Sequence, residues 1–142
     1  MDAIQLLLAA PALALVLGAG LVVHELSHAA ALRALGVSYE VEWFPGGEER
    51  GLGIATGRWA SVVPRGLSPD LAPWRLRVAA LMPLTLALPL VLAVAGVLPN
   101  PMDAGDPVLA VAVIGWIGCA LPSPQDFSLV WHADAAIERY AS

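Results

Sequence analysis

The distribution of apolar and polar residues divides the chain into three long hydrophobic runs, with a more polar insertion after the first. Residues Ala3 to Leu35 contain no helix breaker except Pro11, which the first turns of a membrane helix tolerate, and Gly36 supplies the stop. About twenty apolar residues from Ile4 to Val23 are enough to cross hydrocarbon. Between Val37 and Val63 the period changes. Val37, Tyr39, Val41 and Trp43 alternate with Ser38, Glu40, Glu42 and Phe44, as in a strand. Pro45-Gly46-Gly47 reads as a turn, and Leu52 to Val63, interrupted at Gly57, as the returning strand of a β-hairpin at the membrane surface. Pro64 to Pro73 is a linker. Trp74 to Leu98 is a second apolar run, in which Pro83 and Pro89 predict kinks, and Pro99 to Pro107 is a short acidic loop. The third run, Val108 to Leu121, would make about 21 Å of helix against a hydrocarbon core of about 30 Å. It must therefore continue past Pro122-Ser123-Pro124 toward Trp131, leaving His132 to Tyr140 as a short polar tail. The pattern predicts an all-α membrane protein with about three transmembrane helices and a small β-hairpin between the first and second. The spans fall at about 3–36, 74–98 and 108–131 and the hairpin at about 37–63, in a single integral membrane domain over residues 1–142.

Composition agrees with that reading, since 58% hydrophobic and 13% charged residues are too apolar a mixture for an ordinary soluble domain. The single Cys119 excludes a disulfide within this sequence. All seven basic residues are arginine and the formal charge is −5. An acidic, lysine-free balance suggests the high-salt cytoplasm of a halophilic prokaryote, and GC-rich codon usage explains the arginines equally well. No basic patch points to nucleic acid. Six arginines lie between Leu32 and Val78, none in the loop from Pro99 to Pro107, and one, Arg139, in the tail. The excess of arginine places the hairpin and the C-terminus in the cytoplasm and the N-terminus outside the cell membrane. Met1-Asp2 lacks a positive n-region, and the apolar run continues into polar residues, so a retained helix is expected rather than a cleaved signal peptide.

The candidate chemistry stands at the end of the first run, in Val23-His24-Glu25-Leu26-Ser27-His28. Ionisable groups at membrane depth are costly and mark functional sites by default. On a helix, His24 and His28 are one turn and about 40° apart, with Glu25 about 100° round from His24. Both rings can therefore grip one ion. H-E-x-x-H is the pattern in which two histidines bind zinc and the glutamate, not a ligand, serves as general base. Ala10, Ala14 and Gly18 fall within about 120° of His24 on the wheel, which predicts that this small-residue face packs on other helices and turns the motif into the bundle.

Catalytic zinc usually takes three protein ligands. Asp126, His132, Asp134 and Cys119 are the candidates for the third. Asp126 is preferred, because it follows a helix break of a kind tolerated at membrane depth only inside protein or against a wet cavity. The inferred topology also brings the ends of the first and third spans to the same side, so Asp126 falls near the depth of His24 and His28. His132 is second, a better ligand type six residues farther on.

These residues resemble those of the site-2 protease family of intramembrane zinc metalloproteases. Val-His-Glu-Leu-Ser-His-Ala-Ala at 23–30, followed by Leu35-Gly36-Val37 and strand-like sequence, is similar to the family's first motif. Ala79-Ala80-Leu81-Met82-Pro83-Leu84 resembles its Ala-Gly-Pro helix with the Gly replaced, and Leu121-Pro122-Ser123-Pro124-Gln125-Asp126 its Pro-rich third motif ending in an Asp ligand. Phe127 stands where the family has Gly, and Gly118 near its Asn. The resemblance implies one Zn2+ per chain held by His24, His28 and Asp126, with Glu25 activating water against a peptide bond in or near the membrane. A substrate helix must unwind first, and the free hairpin edge could hold it extended.

A rival reading is a non-catalytic membrane adaptor with a structural or vestigial metal site, and a further one is a metal-binding subunit or transporter fragment. The expected partners are the bilayer and a membrane protein or peptide substrate. A second copy or a partner subunit would help three spans to enclose a wet site.

Overall fold

A computed structural model describes residues 3–43 and 60–140. Leucine and alanine, both strong helix formers, fill the first run, and it forms one helix, α1 (Ala3–Ala34), unbroken through Pro11. Its end is a Schellman turn: Gly36 adopts φ 69° while Val37 N–H donates to the Leu32 carbonyl and Gly36 N–H to that of Arg33. Strands β1 (Tyr39–Trp43) and β2 (Ala60–Pro64) pair antiparallel, Tyr39 opposite Pro64 and Trp43 opposite Ala60. The expected turn at Pro45-Gly46-Gly47 and the expected strand residues Leu52 to Trp59 lie outside the described residues.

The second run forms α2 (Trp74–Leu81), a 3-10 turn (Met82–Ala87) and α3 (Leu88–Val94). The tighter segment contains Pro83, whose missing N–H ends the α-helical pattern of α2, and Pro89 follows as the second residue of α3. The indole Nε1–H of Trp116 donates to the Leu86 carbonyl at 3.0 Å. After a 3-10 turn at Pro101–Ala104, the third run forms α4 (Pro107–Ala120), breaks, and resumes as α5 (Pro124–Trp131). Asp106 and Ser123 cap the two starts, each with proline at the first helical position. Three stretches, Ala3–Ala34, Trp74–Val94 and Pro107–Trp131, are long and apolar enough to cross a membrane. Leu7, Leu15, Val94 and Ile114 are 64% to 76% exposed, which suits a hydrocarbon surround rather than water.

Contacts divide the chain into two units, Met1–His24 with Pro83–Leu121, and Glu25–Met82 with Pro122–Ser142. In the first, α1 packs on α4 through Leu13, Val16 and Gly20, not through the face predicted from small residues. Ala10, Ala14 and Gly18 are exposed, and a Cβ on Gly18 would meet nothing within 4 Å. The reason is fit: Leu13 and Val16 fill the notch at Gly115, while Ala9 and Gly20 are buried on the other side of His24 from the predicted stripe.

In the second unit a core gathers Ala31, Leu32, Val37, Leu67, Leu76 and Ala79, with Tyr39 and Val62 of the sheet packed against it. Glu40 and Glu42 point to the other face, where both pair with Arg65, at 3.2 and 2.9 Å. The residues read as a polar tail are instead a helix, α6 (Ala133–Tyr140), which buries Ala133 and Ile137 in the same core. Residues four apart share a helix face, and here that face is apolar while Asp134 and Glu138 stay exposed.

Candidate metal centre

His24 and His28 occupy successive turns of α1, and both are buried. Each ring is held by a main-chain acceptor within its own unit. His24 Nδ1 donates to the Cys119 carbonyl at 2.7 Å, and His28 Nδ1 donates to the Ala79 carbonyl at 2.8 Å. A carbonyl only accepts, so each ring carries a proton on Nδ1, and Nε2 is its other nitrogen. The 3-10 turn that begins at Met82 follows the Ala79 carbonyl closely, and α4 ends one residue after Cys119. Both acceptors thus lie where the α-helical pattern ends, the Ala79 carbonyl also accepting the Met82 N–H.

Asp126 is the third residue of α5 and completes a capping box with Ser123. Its own N–H donates to Ser123 Oγ at 3.2 Å, and its Oδ2 accepts from Ser123 N–H at 2.6 Å. The cap fixes the carboxylate's orientation, and the remaining oxygen, Oδ1, lies 3.2 Å from His28 Nε2. The two side chains are 9% and 13% exposed, so the contact is largely dry. His24 follows from the same helix as His28, and a metal ion could be held by His24, His28 and Asp126. Glu25 is half-buried beside His24 on α1.

The other candidate ligands have different places. His132 is exposed, and its N–H closes the last turn of α5 on the Ser128 carbonyl. Asp134 pairs with Arg77 at 2.7 Å. Cys119 serves through its carbonyl, with its Sγ 3.8 Å from the Leu17 carbonyl. Two imidazole nitrogens and one carboxylate oxygen are a donor set that divalent transition metals accept.

No family model, curated protein or solved structure matches this chain. The candidate metal centre therefore rests on its own geometry. Sequence reasoning missed the groups that orient the ligands. Ser123 was within reach, because Ser-x-x-Asp opening a helix is a capping box in sequence as well as in structure. The carbonyls of Ala79 and Cys119 carry no residue signature at all.

Proposed function

We propose that this chain is an intramembrane zinc metalloprotease, a small site-2 protease-like enzyme that hydrolyses peptide bonds of membrane-embedded or membrane-proximal substrates. The observation that carries the reading is the contact of Asp126 Oδ1 with His28 Nε2, made while the Nδ1 atoms of both histidines are engaged elsewhere. A carboxylate and an imidazole nitrogen meeting at one buried point, one turn along the helix from a second imidazole, suit a ligand set better than a surface ion pair. The fit to zinc lies in the donor types and in their number, three, which is the usual protein share of a catalytic zinc site. Zinc bound there would polarise a substrate carbonyl and acidify a water bound to it.

His24, His28 and Asp126 would hold the ion, and Glu25 does the proton work. Its carboxylate takes a proton from the attacking water and delivers it to the departing amine as the C–N bond breaks, leaving a carboxylate and an amine. The three apolar stretches span the cell membrane, with the N-terminus outside and the hairpin and C-terminus in the cytoplasm, as the arginine distribution implies. A substrate segment has to be extended before its carbonyls are accessible, and addition to the edge of the β1–β2 sheet would hold it so.

The test begins with the zinc content of detergent-purified protein beside His28→Ala and Asp126→Ala. About one zinc per chain, lost in both variants, is the expected result. A wild-type protein that takes up no offered zinc refutes the metal centre. Cells expressing the wild type or Glu25→Gln are then compared by mass spectrometry of membrane-protein termini. New termini should appear with the wild type only, while Glu25→Gln still binds zinc; equal cleavage by the two refutes the assigned base.

A further inference from the structure

Gly20 lies one turn before His24 on α1 and faces Cys119 of α4, whose carbonyl accepts the His24 Nδ1 hydrogen at 2.7 Å. A Cβ placed on Gly20 would stand 2.6 Å from Cys119 Sγ and 2.8 Å from Cys119 Cβ. Carbon atoms in good contact are separated by about 3.5–4.0 Å. Rotation about χ1 could move the sulfur away, but Cβ is fixed to the backbone. A side chain at position 20 must therefore push α1 and α4 apart at the level of the His24 hydrogen bond. That bond has little slack, since N–H···O bonds weaken beyond about 3.2 Å. Gly18, two residues earlier, has open space instead.

We propose that Gly20 is a positioning residue for the metal centre: the absence of its side chain sets the helix spacing at which the Cys119 carbonyl can hold the His24 ring. The inference rests on the metal-centre reading above. It assigns a ligand-orienting role to a residue with no polar side chain, one turn outside the H-E-x-x-H motif.

The experiment titrates Co2+, as the metal alone, into the detergent-solubilised full chain and reads affinity and the visible spectrum. The proteins are wild type, Gly20→Ala, Gly18→Ala and the double variant Gly20→Ala/Cys119→Gly, which removes both clashing atoms and keeps the carbonyl at 119. Loss of a partner that orients a metal-bound histidine typically weakens affinity about 10- to 100-fold, and that loss is expected for Gly20→Ala. Gly18→Ala should bind as the wild type does, and the double variant should recover most of the affinity and the spectrum. Whether or not Gly20→Ala folds, the double variant decides. Binding near wild type supports the role; a loss that persists in it, or undiminished binding by Gly20→Ala, overturns it. Failure of the wild type itself to bind Co2+ marks failure of the metal-centre reading instead.

Discussion

Asp126 meets two demands with one carboxylate: Oδ2 completes the start of α5 and Oδ1 faces His28. Folding of that helix turn and presentation of the ligand are therefore one event. Replacing the capping hydroxyl in Ser123→Ala should cost about 0.5–2 kcal/mol of stability and also weaken metal binding, whereas Ser123→Thr should stay close to wild type in both. Thermal unfolding and metal titration on the same samples check this; a stability loss with unchanged affinity would separate the two roles. At this scale His24, Glu25 and His28 were legible because their relation is local, fixed by helix geometry alone. Asp126 was legible only as a preference among candidates, since its nearness to His28 depends on how distant segments fold. What holds each Nδ1 could not be read, because main-chain acceptors look alike in every residue.

At the scale of elements, the three apolar runs, the β1–β2 pairing and the helix break before Asp126 follow directly from period and from proline placement. The misreadings have physical causes. Helix α6 buries a stripe of only Ala133 and Ile137, too slight a signal beside three charged residues to set it apart from a polar tail in the sequence. What anchors it is Arg77 of α2, which donates to the Val130 carbonyl at 3.1 Å and to Asp134 at 2.7 Å. Arg77→Leu should cost about 1 kcal/mol, given the partial exposure of the pair, and should speed hydrogen exchange in residues 133–140. Unchanged protection there would show that apolar burial alone holds the helix. Leu76 of α2 is fully buried in the same core, so Leu76→Ala should cost about 2–5 kcal/mol, measurable as a lowered midpoint of thermal unfolding in detergent. The small-residue stripe of α1 misled for a different reason: alanine and glycine are so frequent in this helix that their spacing does not distinguish the packed face from the exposed one.

For the molecule as a whole, the arginine distribution bears on orientation. Alkaline phosphatase inserted in the loop from Pro99 to Pro107 should be active, and a green fluorescent protein fused after Ser142 should fluoresce, as expected for an external loop and a cytoplasmic C-terminus. The reverse pattern would invert the topology and place the hairpin outside.

The orienting hydrogen bonds of the two histidines end on the carbonyls of Cys119 and Ala79. Every amino acid supplies a carbonyl, so mutation of either codon leaves the acceptor in place as long as the backbone path survives. The hydrogen bonds themselves then place no demand on residue identity at these two positions, where only the packing around the buried side chains limits it, while selection acts on the course of the main chain. The ligands would persist as recognisable letters, and their support would persist only as shape, invisible to any comparison that reads side chains alone.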